Sequence, residues 1–188
     1  MKRAMSEDRS ERFDALFAAY APDIVAYCSW RAATASDAQD AAADVFLTAW
    51  RRLDAVPRGE GARVWLYATA RRVLANQRRS RRRRVALQER LAAEPAVPST
   101  DLQDVETTLV HEALQRLGAR DREVLLLAEW EGLSPAEIGA VLGCLAVTAR
   151  GRLHRARRRF RALFGDVRGE GRALKEPPLL AKEGPEHA

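Results

Sequence analysis

The stretch spanning residues 133–161 constrains the fold of this chain more than any other. It opens with a short helix whose ends are both marked. Ser134 suits the N-cap, Pro135 suits the first helical position, and Glu137 completes a capping box. Gly143 is typical of the position just past a helix end. A second apolar pattern at helical spacing follows after a tight connection, so the sequence predicts two helices joined by a short turn.

The second of these helices is rich in basic residues on the faces that are not apolar. Its basic side chains are Arg150, Arg152, His154, Arg155, Arg157, Arg158, Arg159 and Arg161. A capped short helix, a tight turn and a long basic helix are typical of a helix-turn-helix, whose second helix lies in the DNA major groove. The alternative is a helical hairpin with solvated arginines, and the capped first helix and short turn disfavour it.

Composition supports a helical, nucleic-acid-binding protein. The 188 residues carry a formal net charge of +6, which favours nucleic acid or an acidic protein surface as partner. Abundant Ala, Leu and Arg with few β-branched residues predict an all-α fold. No signal peptide and no membrane-length apolar run is visible, so we expect a cytoplasmic protein without membrane insertion.

No pattern in the chain indicates an enzyme. We find no nucleophile–base pair, metal-ligand spacing or phosphate-cradling loop, and therefore expect no cofactor and no small-molecule substrate. The two cysteines, Cys28 and Cys144, are interpreted as reduced thiols that fill the core rather than as a disulfide or a zinc site.

The N-terminal half predicts four helices. Apolar spacing from Phe13 to Tyr20 indicates the first, Pro22 opens the second, and Ser36 with Gln39 forms a capping box for the third. A Pro- and Gly-containing loop over residues 56–61 precedes a fourth helix over residues 63–79.

The third predicted helix carries an acidic ridge on its exposed side. The ridge consists of Asp40, Asp44, Leu47, Thr48 and Arg51. An apolar residue among carboxylates on a basic protein favours a protein-docking surface. Helix capping and the helix dipole explain some of these charges without any function, so a solvated face stays open as the alternative.

The fourth predicted helix interleaves aromatic residues with arginines and continues into the run of arginines at 81–84. Aromatic rings can stack on unpaired bases while guanidinium groups bind phosphates. In the alternative interpretation, Trp65 and Tyr67 are buried in a helical bundle and the arginines are solvated.

The predicted organisation is two small helical domains joined by a flexible linker. The ranges are a disordered start at 1–9, a first domain at 10–84, a linker at 85–108, a second domain at 109–164 and a disordered tail at 165–188.

Two separated segments resemble the sigma-70 family of RNA polymerase sigma factors, in the extracytoplasmic-function (ECF) group. SDAQDAAADVFLTAWRRL, followed by RVWLYATARRVLANQRRSRRRR, resembles conserved region 2. ALQRLGARDREVLLLAEWEGLSPAEIGAVLGC, followed by ARGRLHRARRRF, resembles region 4. Such factors bind the polymerase core and direct promoter-specific initiation, so the resemblance implies promoter DNA and the core, through its β′ clamp helices and β flap, as partners. An anti-sigma factor is a further expectation.

The resemblance also implies roles for particular residues. The acidic ridge would dock on the clamp helices, with Phe46 and Trp50 as packing residues. The residues implied in recognising and opening the −10 element are Arg58, Arg63, Trp65, Tyr67, Arg71, Asn76, Arg78 and Arg79. Those implied at the −35 element are Arg150, Arg152, His154, Arg155 and Arg158.

Three positions depart from the family pattern. Leu145-Ala146 replaces a Ser-Pro-like helix start, Gly151 stands where a side chain could contact a base, and Arg72 replaces a frequent asparagine. The −35 contacts are therefore expected to depend more on phosphates than on bases. Two other hypotheses are a regulator that binds only duplex DNA and a nonspecific nucleic-acid-binding protein.

Overall fold

The computed structural model describes the backbone of residues 2–88 and 105–173, and the side chains of residues 7–83 and 109–169. These residues form seven α-helices, one 3-10 helix and no strand, which confirms the predicted all-α class. The α-helices are α1 (Lys2–Ser29), α2 (Ala35–Arg51), α3 (Glu60–Gln88), α4 (Val105–Arg116), α5 (Ala119–Glu129), α6 (Pro135–Leu142) and α7 (Ala146–Ala173), and the 3-10 helix spans Leu53–Ala55.

The chain divides into two compact units. Among the described residues, one contains 2–88 together with 127–150, and the other contains 105–126 together with 151–173. In the first unit α1, α2 and α3 pack on one another, and α6 packs on α3. The first helix of the helix-turn-helix therefore belongs to the same unit as the three N-terminal helices.

Helix α1 is continuous where the sequence predicts two helices. Pro22 lies inside it rather than at a helix start, and the helix begins at Lys2, within the segment predicted as disordered. An interior proline removes one backbone hydrogen bond and costs about 3 kcal/mol. Packing of α1 offsets this cost, since α1 contacts both α2 and α3 and buries Ile24, Tyr27 and Cys28 just after Pro22.

The N-cap of α2 lies two residues before the predicted cap, Ser36. Thr34 is the N-cap, with an extended backbone, and its hydroxyl accepts a hydrogen bond from the Asp37 amide at 3.0 Å. The predicted Ser36–Gln39 capping box is wrong because Ser36 already lies in the first turn. The apolar face of α2 is buried and consists of Ala38, Ala41, Ala42, Val45, Phe46 and Ala49.

Two helices extend beyond their predicted ends. Helix α3 continues to Gln88 and includes the arginine run, and α7 continues to Ala173, into the segment predicted as a disordered tail. Residues 89–104 of the predicted linker and residues 174–188 of the predicted tail lie outside the described residues.

The marked ends of α6 are confirmed. The Ser134 hydroxyl accepts from the Glu137 amide at 3.3 Å, and the Glu137 carboxylate accepts from the Ser134 amide at 2.8 Å. Gly143 ends the helix in the left-handed region at φ +69°. Gly139 is also needed, because a Cβ there would lie 2.6 Å from the Cys144 carbonyl oxygen.

Candidate functional site

The acidic ridge of α2 is exposed along its length. Asp40, Asp44 and Arg51 are exposed, Leu47 is 44% exposed, and the half-buried Thr48 donates its hydroxyl to the Asp44 carbonyl at 2.8 Å. This arrangement leaves the carboxylates and the Leu47 side chain accessible to a partner. An exposed leucine between carboxylates suits a partner surface that is both apolar and basic.

A cluster of four aromatic rings lies between α1 and α2. Phe13 contacts Trp50 edge-on with ring centroids 5.2 Å apart, and Phe17 contacts Phe46 at 4.8 Å. The prediction that Phe46 packs is confirmed by its 5% exposure, whereas Trp50 is 39% exposed and Phe17 is 47% exposed. The cluster thus has an exposed aromatic edge that the spacing of apolar residues did not show.

A cavity of about 240 Å³ lies beside the loop that precedes α3. Among its lining residues are Arg12 and Tyr20 of α1 and Pro57 and Arg58 of the loop. Arg12 donates to the Val56 carbonyl at 2.6 Å, which ties the loop to α1. No sequence pattern relates Arg12 or Tyr20 to this loop, because packing between distant segments brings them together.

Helix α3 separates the predicted −10 residues into exposed and covered groups. Arg58 in the preceding loop and Arg71, Asn76, Arg78 and Arg79 on the helix are exposed, while Arg63 and Trp65 are half-buried. Tyr67 is 1% exposed, so the alternative that at least one of the two aromatics is buried holds for Tyr67. The exposed arginines form a basic surface, and the tyrosine ring has no free face in this structure.

The Tyr67 hydroxyl takes part in a buried polar cluster with Glu131 and Arg31. It donates to Glu131 Oε2 at 2.8 Å, and Arg31 Nη1 donates to Glu131 Oε1 at 3.4 Å and to the Tyr27 carbonyl at 3.1 Å. Arg63 donates to the Glu131 carbonyl oxygen. Glu131 and Arg31 are each 8% exposed. No sequence pattern indicates this cluster, because its members lie on segments far apart in the chain.

Burial governs the ionisation of this cluster. Desolvation raises the pKa of Glu131 above its usual range, although the Tyr67 hydrogen bond and the Arg31 charge act in the opposite direction. Desolvation and the nearby Glu131 carboxylate raise the pKa of Tyr67, so its hydroxyl remains a donor. Burying a charged group costs desolvation free energy, so the stability of this cluster depends on its hydrogen bonds and opposite charges.

The start of α7 presents both basic and apolar side chains. Arg150, His154, Arg155 and Arg158 are exposed, and Arg152 is half-buried. Leu145 and Val147, at the turn and in the first helical turn, are 73% and 66% exposed. The apolar positions Ala149, Leu153 and Ala156 are buried. The helix therefore exposes Arg150, Arg155 and Arg158 while its apolar stripe packs inward.

Among the described residues, the His, Cys, Asp and Glu side chains form no group that could hold a metal ion. None of the helices in the described part of the chain is both long and apolar enough to cross a membrane. Both cysteines lie within the described ranges and are not joined by a disulfide; burial raises the pKa of the Cys28 thiol to about 11.

Comparison with known families places two matches along the chain. Residues 16–84 match the family described as Sigma-70 region 2, and residues 107–160 match Sigma-70, region 4. The two matches occur in the order that the sequence resemblance implies, and together they include α2, α6 and most of α3.

Curated relatives and solved structures agree with these matches. The chain is 32% identical over 159 residues to the RNA polymerase sigma-H factor of Pseudomonas aeruginosa, covering 77% of this chain and 82% of that protein. It is 28% identical over 157 residues to the ECF RNA polymerase sigma factor SigL of Mycobacterium tuberculosis, covering 81% and 89%. The sigma factor RpoE in complex with the anti-sigma factor NepR from Bartonella quintana is similar in structure, with a TM-score of 0.68, 25% identity and coverage of 81% and 96%.

Proposed function

The chain belongs to the sigma-70 family, among the ECF sigma factors, and from that premise we propose that it recognises the −35 and −10 elements of its promoters and helps to open the −10 DNA. Sigma factors are initiation factors without catalytic activity, so nucleotidyl transfer belongs to the polymerase. The observation that carries the proposal is the separation of charge: an exposed acidic ridge on α2 and exposed arginines on α3 and α7.

The acidic ridge is the proposed contact with the polymerase core. Asp40, Asp44, Leu47, Thr48 and Arg51 would dock on the β′ clamp helices, and the exposed edges of Phe17 and Trp50 would extend the apolar part of this contact. Charged residues at the rim of an interface steer association, while the apolar and aromatic residues contribute most of the affinity. The β flap is the proposed contact of the region 4-like domain.

The loop before α3 and the exposed face of α3 are the proposed −10 site. Arg58, Arg71, Arg78 and Arg79 would hold the phosphates of the separated strands, and Trp65, Tyr67 and Asn76 would contact bases. The cavity beside the loop, with Arg12 and Tyr20 in its wall, offers a place for an unpaired base. Flipping a base costs a few kcal/mol, which these contacts would offset.

Helix α7 is the proposed −35 site. Arg150, Arg152, His154, Arg155 and Arg158 would contact the duplex, with phosphates as the main partners because Gly151 offers no side chain to a base. A site that uses 6–10 phosphates loses about 10³- to 10⁵-fold in affinity between low and moderate salt.

An anti-sigma factor is a further proposed partner. The similar structure of the sigma factor RpoE contains its complex with the anti-sigma factor NepR. A protein that covers the acidic ridge or the basic face of α3 would prevent assembly with the core or with DNA.

Capture of purified polymerase core by the tagged chain tests the docking part of this proposal. We expect core to be retained by the wild type and retained poorly by Asp40→Ala/Asp44→Ala. Asp14→Ala/Asp166→Ala is the matched control, since it removes two exposed carboxylates elsewhere. Equal loss in both double variants would show that only net charge matters. Failure of the wild type to retain core would favour a regulator that binds duplex DNA alone.

A further inference from the structure

The connection between α5 and α6 inserts a carboxylate into a site built by distant parts of the chain. Glu131 lies 100 residues from Arg31 and 64 residues from Tyr67, yet its two carboxylate oxygens contact both side chains. Its backbone carbonyl accepts from Arg63, 68 residues away. Three donors from outside the connection therefore converge on one residue.

Apolar contacts surround this polar centre. The Trp130 ring lies 5.9 Å from the Trp30 ring between centroids, and Leu133 is 4% exposed. Helix α6, which follows directly, packs on α3 through a face that includes the fully buried Ile138. The segment Trp130–Leu133 is thus held by buried polar contacts from Arg31 and Tyr67 together with apolar contacts at Trp130 and Leu133.

We propose that Arg31, Arg63 and Tyr67 form an intramolecular binding site for the Trp130–Leu133 segment. The segment must leave this site before promoter DNA can occupy the same residues. We call the contact among Arg31, Arg63, Tyr67 and Glu131 the Glu131 latch. Only the DNA step rests on the proposed function; the latch itself rests on the contacts.

The latch occupies the groups that DNA would use. Tyr67 is 1% exposed, with its ring 5.2 Å from the Tyr27 ring and its hydroxyl donating to Glu131, so in this conformation it cannot stack on a base. Arg63 donates to the same segment. A carboxylate and a phosphate are both anionic oxygen acceptors for arginine, so Glu131 takes the place of a DNA phosphate in the site.

A contact of this kind suits reversible opening. Desolvation of Glu131 and Arg31 opposes their attraction, so a buried ion pair adds specificity of position more than stability. A ligand that binds only the open form has its apparent affinity lowered by the fraction of molecules that are open. Weakening the latch should therefore strengthen DNA binding, whereas an ordinary structural contact would weaken or not affect it.

Hydrogen exchange of the full chain, detected by mass spectrometry, tests the latch without DNA. Glu131→Gln removes the charge but keeps an oxygen acceptor for Tyr67, and Glu131→Ala removes both. We expect faster exchange in residues 63–70 and 130–133, larger for Ala than for Gln, with α2 unchanged. Glu129→Gln, which removes an exposed carboxylate two residues away, is the control. Unchanged exchange in both Glu131 variants, or faster exchange that includes α2, would overturn the latch.

Binding of a fluorescein-labelled pool of random single-stranded DNA tests the covering role. Glu131→Gln and Glu131→Ala are expected to bind the pool at least about threefold more tightly than wild type at equal salt, because a larger fraction is open. Glu129→Gln, with the same change in net charge as Glu131→Gln, should bind like wild type. If the Glu131 variants open the latch but do not bind DNA more tightly, the segment does not cover the DNA-binding residues. The same conclusion follows if Glu129→Gln binds DNA as tightly as the Glu131 variants. Failure of every variant and of wild type to bind DNA, with local opening observed, would refute the proposed −10 function but not the intramolecular site.

Discussion

At the scale of single residues, the chain separates accessible charge from buried charge. Asp40 and Asp44 on α2 and Arg150 and Arg155 on α7 are exposed and free to meet a partner of opposite sign. Glu131 is buried and depends on neighbours within the chain. Exposed charges steer association with a partner, and buried charges hold segments of the chain in one arrangement.

The capping carboxylate Glu137 gives a pH-dependent contribution to stability. Hydrogen bonds from the Ser134 hydroxyl and backbone lower its folded pKa below the usual 4.5. A lowered folded pKa stabilises the folded state above the unfolded value, and this stabilisation is lost as pH falls through the folded pKa. We expect the melting-temperature difference between wild type and Glu137→Ala to be constant from neutral pH to about 4.5 and to shrink below it.

Glu137→Gln is the control for that measurement. The amide keeps an oxygen that can accept from the Ser134 backbone but does not titrate in this range. Its melting temperature should therefore differ from that of Glu137→Ala even at low pH. If the melting-temperature difference between wild type and Glu137→Ala is unchanged at the lowest pH, the hydrogen bonds assigned to the Glu137 carboxylate are contradicted.

Removing one phosphate-contacting arginine from α7 should reduce the salt dependence of duplex binding. We expect Arg150→Ala to lower the magnitude of the slope of log affinity against log salt by about 1, as one fewer phosphate contact implies. Arg120→Ala, an exposed arginine at the start of α5, should leave the slope unchanged. Fluorescence anisotropy across a salt series measures both slopes. Equal effects of the two variants would show that the helix contributes only net charge.

At the scale of helices, the elements with strong local signals are those that the sequence predicts well. The α6 capping box and the Gly143 terminus depend on residues within one short stretch, and both are confirmed. Pro22 is an ambiguous local signal. Proline favours the first turn of a helix, but it is tolerated in a helix interior when packing against other helices stabilises that helix. Thr34 and Ser36 are both good caps, and the observed backbone at Thr34 decides between them.

Two glycines of the helix-turn-helix should respond to alanine in opposite ways. A Cβ at Gly139 would lie 2.6 Å from the Cys144 carbonyl oxygen, so Gly139→Ala should destabilise by about 1–3 kcal/mol. At Gly151 the nearest atom is a flexible Arg155 nitrogen at 3.6 Å, so Gly151→Ala should stabilise by about 1 kcal/mol through helix propensity. Urea unfolding followed by circular dichroism compares the three proteins. The same sign for both variants would contradict the geometry of the turn.

At the scale of the whole molecule, the relations that matter most join residues far apart in the chain. The acidic ridge and the basic helices could be predicted because each is a periodic pattern within one helix. The Glu131 latch could not, since neither periodicity nor spacing relates Arg31 to a residue 100 positions away. The burial of Tyr67 likewise involves distant residues, Tyr27 and Glu131, and for that reason the sequence left its role open between stacking and packing.

Reconstituted transcription tests most directly whether this chain confers promoter selectivity on the polymerase core. Purified core would be incubated with a library of random duplex fragments, with and without the chain, and the 5′ ends of the transcripts would be sequenced. We expect discrete starts that appear only with the chain and share a paired upstream motif, and we expect Asp40→Ala/Asp44→Ala to reduce them. Transcript starts that share no motif would contradict this promoter selectivity. Binding of the chain to core without stimulated transcription would also contradict it.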